Sequence, residues 1–447
     1  MAVKSIVKVS ELEGQLRLDP EYYHPKYYSA IEHLLVFGQF SELRGIAKII
    51  RGRNPPKYTN TGIPVVRAID LRDITNWEDV LFATPSERLF YLKEGDVLIS
   101  SIGAGSIGKV ELFLDTRKAA TVSEVSVIRA SNYSPAAIAT FLRTKYGYLQ
   151  LERRITGSTG QLHLYPRDIG TVLVPLLNSK IQSELENILS ESQKTLLESK
   201  HLYLQAERML LDELRWDELN PSQPKSYAVF LSQAKNISRV DAEHFQPKFE
   251  KLLNYIKAVG KTDLLGDGVL FNKRGLQPTY VEEGNVIVVN SQHLGRYLLN
   301  VEATERTDED FWRNNKRCQL KINDVLVYST GAYVGRTNVW LEDSKAIASN
   351  HVNIIRPSKE YNALYLAAYL NSLPGLWQAE MWASGSGQRE LYPEDIARFV
   401  LYRAPQEVQE KIADLIVQSY QARKKAKALL EEAKRQVEEL IDEAAGG

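Results

Sequence analysis

The sequence predicts an α+β protein: two similar α/β heads joined by two long antiparallel helices, a coiled-coil spacer, with an internal pseudo-two-fold duplication. Three observations point there. The segment GQLHLYPRDI, Gly160 to Ile169, returns as GQRELYPEDI, Gly387 to Ile396, at an offset of 227 residues. Upstream, DPEYYHPKYYSAIEHL from Asp19 is echoed by DAEHFQPKFEKLLNYI from Asp241, and LKEGDVLISSIGA from Leu92 by LKINDVLVYSTGA from Leu320, at offsets of 222 and 228. Offsets that drift by a few residues are those of one set of elements written twice with small loop insertions. Finally, each copy ends in a long stretch of helical periodicity free of Gly and Pro.

Along the first copy, PKYYSAIEHLL reads as a short helix, GDVLISSI, KVELFLD and EVSVIRA as strands, and PAAIATFLRTKYGYLQLERR as a helix. The second copy supplies NDVLVYST, TNVWLED and HVNIIRP as strands and ALYLAAYLNS as a helix. The first long helix is expected from Asn178 and Ser179, where S-K-I-Q reads as a capping box with Gln182, to about Trp216. The second is expected from Pro405, a favoured first-turn residue, to about Glu443. Each would be roughly 55 Å long at 1.5 Å per residue.

Leu189, Leu196, Tyr203 and Leu210 recur every seven residues with Ser192, Ser199 and Ala206 between them. Ile416, Arg423, Leu430 and Val437 recur likewise, with Ser419, Ala426 and Ala433 between. A heptad with small residues at alternate core positions suits two closely packed helices. The expected helix-pair interface is therefore Leu189, Leu196, Tyr203, Leu210, Ile416, Leu430 and Val437, with Arg423 locally loose; the alternative is two amphipathic helices, each lying on its own head. RWDELNPSQPKSY, with Pro221 and Pro224, reads as a linker. The expected organisation is a head over 1–177, a helix over 178–218, a head over 219–404 and a helix over 405–447.

Composition excludes several classes. Of 447 residues, 44% are hydrophobic and 25% charged, with 56 Lys and Arg against 56 Asp and Glu, so any nucleic-acid binding must come from local patches. No apolar run approaches a membrane span and the N-terminus does not read as a signal peptide, so the chain is expected to be soluble and cytoplasmic. Cys318 alone excludes an internal disulfide and is expected in a half-buried strand; the seven scattered histidines show no metal spacing, so no metal site is expected.

Two segments imitate enzymes. GAGSIG, Gly103 to Gly108, fits G-x-G-x-x-G after a strand, but KVELFLD follows as a strand, leaving no helix N-terminus for a phosphate. NPPKY, Asn54 to Tyr58, resembles the loop that clamps a flipped adenine in amino-methyltransferases, with Lys57 where an aromatic must stack. Asp168 and Asp395 have no partner base or metal in the pattern, and no G-x-x-x-x-G-K-[ST] is present. No catalytic residue is assigned, and the chain is expected to be non-catalytic.

Several loops instead mix cations, amides and hydroxyls, the chemistry of phosphate anchoring and base-edge readout. In the first head the candidates are Arg51, Arg53, Lys57, Arg67, Lys109, Arg153, Arg154, Ser158, Thr159, Gln161 and His163. In the second they are Lys273, Arg274, Asn290, Ser291, Gln292, Tyr333, Arg336, Ser384, Ser386, Gln388 and Arg389. The frameworks match while these loops differ, as if one scaffold carried two reading heads. Antiparallel helices would relate the heads by a pseudo-two-fold axis, the symmetry by which DNA is read as two half-sites.

The order head, long helix, head, long helix, with GSTGQLHLYPRDIGTVLVPL and GSGSGQRELYPEDIARFVLY leading into the helices, resembles the specificity subunit of type I restriction-modification systems over essentially the whole chain. The resemblance implies a non-catalytic subunit whose two target-recognition domains each read one part of a split, double-stranded DNA sequence. It implies two modification subunits that methylate adenine with S-adenosylmethionine, and restriction subunits that use ATP and Mg, with no cofactor on this chain. The helices near Asn178 and Pro405 correspond to the family's spacers, where modification subunits also dock. The alternatives are a helical scaffold that does not touch DNA and a stand-alone DNA methyltransferase.

Overall fold

The structure, a computed structural model, describes residues 8, 19–71, 77, 80–103, 106–157, 162–219, 224, 226–297, 299–301, 304–385 and 387–446. It divides into two compact units, Met1–Leu197 with Ala422–Gly447, and Glu198–Gln421. Both mix helix and strand.

In the first unit β1 (Ala47–Arg51), β2 (Asp96–Ser100), β3 (Val110–Phe113) and β4 (Val125–Ala130) form an antiparallel sheet in the order β1-β4-β2-β3. β2 is buried along its whole length, which is why its sequence is almost continuously apolar. Successive side chains serve opposite faces. Val97, Ile99 and Ile128 pack with α1 (Pro135–Arg143) and α2 (Lys145–Arg153), whereas Leu98, Phe113, Val125 and Val127 pack with Val65 and Val66 of a small second sheet. The sequence reads α1 and α2 as one helix. The chain breaks at Thr144, whose hydroxyl accepts the Gly147 N–H (3.2 Å), and a Cβ at Gly147 would lie 2.2 Å from the Phe141 carbonyl.

The helix α3 (Ser179–Glu213) has residues 179–197 in the first unit and 198–213 in the second. It begins with a cap other than the expected box. Asn178 Oδ1 accepts the Ile181 N–H (3.0 Å), while Gln182 reaches away to the Ser134 N–H (3.1 Å) and the Leu177 carbonyl (2.8 Å). At its far end Arg215 adopts φ 48°, and Trp216–Glu218 continue as a 3-10 turn rather than as helix.

In the second unit β5 (Val269–Arg274), β6 (Val325–Tyr328), β7 (Thr337–Val339) and β8 (Val352–Pro357) form a sheet in the order β5-β8-β6-β7. Val325, Val327 and Ile355 pack with α4 (Ala363–Asn371) and α5 (Leu373–Trp382); Leu326, Val352 and Ile354 face a second small sheet. Cys318 lies in the 3-10 turn Lys316–Cys318, not in a strand. It is fully buried, its thiol on the Asn315 carbonyl.

Buried polar groups need partners, and the two units satisfy them with corresponding residues. Asp96 accepts two bonds from Arg129 (2.8 and 2.7 Å) and one from the Lys93 N–H; Asp324 accepts two from Arg356 (2.8 and 3.1 Å) and one from the Lys321 N–H. Gln150 pairs with both backbone groups of Leu173, and Gln378 with those of Val400. Gln182 bridges Ser134 and Leu177 as Gln409 bridges Asn362 and Ala404.

α3 and α6 (Gln406–Ala444) close each core together. In the first unit Leu185 and Leu189 share a core with Ala433, Val437 and Ile441, and Ser192 Oγ donates to the Ala426 carbonyl (2.8 Å). In the second, Tyr203, Ala206 and Leu210 share a core with Ile412 and Ile416, and Ser199 and Ser419 each donate to the other's carbonyl (2.7 Å). Rising numbers on α3 meet falling numbers on α6, so the segments run antiparallel within each unit. A hydroxyl reaching a facing helix carbonyl requires close approach, which small residues permit. Of the expected interface, Leu189, Tyr203, Leu210, Ile416 and Val437 are buried, whereas Leu196, Leu430 and Arg423 are only half-buried. Among the described residues no helix is long and apolar enough to cross a membrane, and no group of three His, Cys, Asp or Glu is placed to hold a metal.

Candidate nucleic-acid interface

The glycine segment GAGSIG turns β2 into antiparallel β3. Gly103 and Gly108 have φ of 115° and 83°, and the Gly108 N–H closes on the Ser100 carbonyl (2.8 Å); Ala104 and Gly105 lie outside the described residues. Gly331 and Gly335, with φ of 128° and 96°, turn β6 into β7 in the same way. A strand follows each turn, as a dinucleotide site would not allow. In NPPKY the Asn54 amide oxygen is taken by the Ser123 N–H and hydroxyl, both at 3.0 Å, so it locks a loop.

One edge of the first unit, where β1 and β2 end and β3 and β4 begin, gathers most of the candidates. Arg51 ends β1, is exposed and donates to the Ser123 carbonyl (2.8 Å); Arg53 and Lys57 follow, both exposed. Gly52 is needed here, since a Cβ would lie 2.2 Å from the Val122 carbonyl. Lys109, exposed, leaves the turn at the end of β2. His163 stacks on Tyr165 (5.7 Å, 12°), and the Leu164 N–H bonds the Ser101 carbonyl (2.9 Å), bringing this strip to the same edge. Arg67 sits nearby, its Nε and Nη2 each 2.9 Å from Asp70 oxygens. Burial pushes the Tyr58 phenol up while Arg67 pulls it down. Ser158, Thr159 and Gln161 lie outside the described residues.

Arg153 and Arg154, expected among the DNA-facing cations, do not reach this surface. Both are buried: Arg153 donates to the Tyr22 carbonyl (2.9 Å) with its guanidinium over the Tyr22 ring (4.0 Å), and Arg154 donates to the Gln150 carbonyl (2.7 Å) and to Thr171. They hold α2 to its neighbours and offer nothing to a surface ligand.

The second unit builds the corresponding edge. Arg274 ends β5, stacks over Tyr392 (4.7 Å) and donates to Thr330 and to the Leu391 carbonyl, both at 3.3 Å. Lys273 beside it is exposed, and Gly275 packs so closely that a Cβ would lie 2.0 Å from the Ala348 carbonyl. Tyr333 is exposed with the Arg336 guanidinium over its ring (3.6 Å). Gln388 and Arg389 are exposed; Ser384 is half-buried, its backbone paired with Glu390; Ser386 lies outside the described residues. The Glu390 carboxylate, with burial second, raises the Tyr392 phenol against the pull of Arg274.

Asn290, Ser291 and Gln292 form a separate group next to this edge. Asn290 Nδ2 and Gln292 Nε2 both donate to Glu305 (2.7 and 3.0 Å), and Tyr280 OH donates to Asn290 Oδ1 (3.4 Å). Sequence reasoning missed Tyr280 and Glu305, which no local motif marks. It also missed the roles of Tyr165 and Tyr392, exposed rings at the start of each repeated Tyr-Pro turn. The arrangement offers cations for phosphates and pinned amides for base edges.

No family model matches this chain, and no curated protein matches it. Among solved structures it is similar to a type I restriction-modification system S subunit from M. genitalium, with 12% identity, 91% of this chain and 95% of that one covered, and a TM-score of 0.39. It is also similar to a structure described as underlying complex assembly and conformational transition of the type I R-M system (16% identity, 91% and 97% covered, TM-score 0.29). A third is the HsdS subunit from Thermoanaerobacter tengcongensis (16%, 91% and 96%, TM-score 0.29). These three solved structures belong to type I restriction-modification systems and include S (HsdS) subunits.

Proposed function

We propose that this chain is the DNA sequence-reading, non-catalytic subunit of a type I restriction-modification complex. It arises from a duplicated scaffold. Each head reads one half of a bipartite double-stranded target, and the paired helices act as spacer and as docking site for two methyltransferase subunits. The carrying observation is the contrast inside each unit: corresponding buried polar locks, Asp96 with Arg129 and Asp324 with Arg356, at one end of the central strands, and exposed residues that differ between the units at the other. A solvent-facing apolar segment in the second unit, with Phe230 79% and Val240 90% exposed, supports a protein partner. S-adenosylmethionine, ATP and Mg belong to the partner subunits on this reading, and the assembly works in the cytoplasm. Its near-neutral charge suits a chain whose partners share in phosphate neutralisation.

The test is co-expression with an adenine methyltransferase subunit followed by methylome sequencing. One bipartite motif is expected, and replacing residues 222–404 with another chain's head should change one half of it. Methylation that ignores either half would defeat the two-head reading; binding of S-adenosylmethionine by the isolated chain would revive the stand-alone methyltransferase.

A further inference from the structure

We infer that the middle residue of one 3-10 turn is a base-reading position in both heads: Gln292 reads adenine and Ile69 the methyl group of thymine. The inference rests on the DNA-reading function proposed above and names the residues that carry it out.

The two turns are Ala68–Asp70 and Ser291–His293, each following a strand that pairs in parallel with a second strand. They are built by the same device. The Arg67 N–H donates to Asp70 Oδ2 (2.9 Å), and the Asn290 N–H donates to His293 Nδ1 (2.9 Å), so the third turn residue fastens the residue before the turn. Both turns rise beside the cationic edge, since the Arg53 N–H bonds the Thr121 carbonyl and the Leu276 N–H the Ala348 carbonyl at the ends of the partner strands. Asp70 and His293 are buried; the middle residues are exposed, Ile69 to 66%.

The second head's network fixes what Gln292 presents. Because His293 Nδ1 accepts a hydrogen bond, its ring proton lies on Nε2, 3.6 Å from the Glu305 carboxylate. That nitrogen therefore offers no acceptor to the Gln292 amide, 3.4 Å away. One Gln292 N–H goes to Glu305 Oε1 (3.0 Å), which sets the amide's orientation and leaves its carbonyl oxygen and second N–H. One acceptor beside one donor is the complement of adenine's N6–H and N7 in the major groove; guanine would set its O6 against the Gln292 oxygen. Asn290, by contrast, is half-buried, with one Nδ2–H on Glu305 and its Oδ1 accepting from Tyr280, so it does not present an acceptor–donor pair and is a positioning residue, as is Glu305. At the equivalent place Ile69 offers only apolar surface, and thymine's C5-methyl is the one apolar group in the major groove.

Selection of the full-length chain, assembled with its methyltransferase subunits, on a randomised double-stranded DNA library, read by sequencing, tests this. For the wild type a bipartite motif is expected; Gln292→Ala should flatten one adenine position in one half, with a loss of discrimination of about tenfold or more. Ile69→Gln should flatten one thymine position in the other half, since among the described residues no carboxylate like Glu305 orients an amide there. Glu305→Ala should blur the Gln292 position alone, with Glu305→Gln partly restoring it. If the wild type enriches no motif, the DNA-reading function itself falls. If it enriches one that Gln292→Ala and Ile69→Gln leave unchanged, or change at bases other than adenine and thymine, only this assignment falls.

Discussion

The last part of α6, from Ala422 onward, should stabilise the first head and not the second, although more than two hundred residues separate it from that head in sequence. Val437 and Ile441 are fully buried in the core that contains Phe141 and Leu142 of α1. Ile441→Ala should cost about 2–5 kcal/mol as a large-to-small core change, and Val437→Ala roughly 1.5–2 kcal/mol for two methyl groups at about 0.8 each. Together they remove about 3.5–7 kcal/mol, a large part of the 5–15 kcal/mol typical of a domain. Opening of the first unit should rise by roughly two and a half to five orders of magnitude, since about 1.4 kcal/mol is tenfold. Native-state hydrogen exchange read by mass spectrometry reports this unit by unit. Protection should collapse in Pro135–Arg143 and persist in Ala363–Asn371. Leu210→Ala, buried at the other end of α3 among second-unit residues, should do the reverse. Loss of protection in the wrong unit, or equally in both, would refute the shared-core reasoning.

Other outcomes follow from single sites. Gly52→Ala and Gly275→Ala each put a methyl group about 2 Å from a backbone carbonyl and should destabilise their own unit by roughly 1–3 kcal/mol, read as a lowered midpoint in thermal unfolding. Burial raises the Cys318 thiol to about 11, so at pH 8 it should resist a disulfide reagent until the protein unfolds, when it should react at once. Burial lowers the His244 imidazole below its ordinary value, with Arg239 adding to this and the Met381 carbonyl, Asp241 and Asp395 opposing it. The unfolded state therefore binds this proton more readily, so second-unit stability should be full above about pH 6.5 and fall on acidification. Denaturant midpoints for wild type and His244→Gln, compared at pH 7.5 and 5.5, should show the smaller fall in the variant.

What was legible in the sequence is what repeats or alternates. The strands announced themselves because one face of each packs on helices and the other on a second sheet, as with Val97 and Leu98. The long helices were legible from their missing Gly and Pro. Less visible were features that depend on distant partners. Arg153 looks like a surface cation, yet the ring that holds it belongs to Tyr22, and nothing near Arg153 in sequence signals that contact. α5 was missed because its first turn carries Pro374 and Gly375, which read as breakers; Pro374 lies where helix starts tolerate it. Gln182 looked like a capping-box residue, but its bonds are to Ser134 and Leu177. The candidate interface was half legible: composition marked Asn290 and Gln292, while Glu305, which fixes both amides, lies 15 residues from Asn290.

A scaffold that reads different sequences needs positions that differ in what replacement costs. Asp96 is buried, with three hydrogen bonds from Arg129 and Lys93, and removing one partner of such a pair costs about 3–5 kcal/mol because the other charge is left unpaired. Ile69 is exposed and lies on a turn fastened by its neighbours, where substitutions fall within about 0.5 kcal/mol. The two differ by roughly a hundredfold or more in folding equilibrium. Arg129→Met should therefore lower the first unit's unfolding midpoint strongly, whereas Ile69→Gln leaves it unchanged while altering which DNA is selected. Were Ile69→Gln to destabilise the unit as much as Arg129→Met, the turn would be part of the framework, and the separation between scaffold and reading position would not hold.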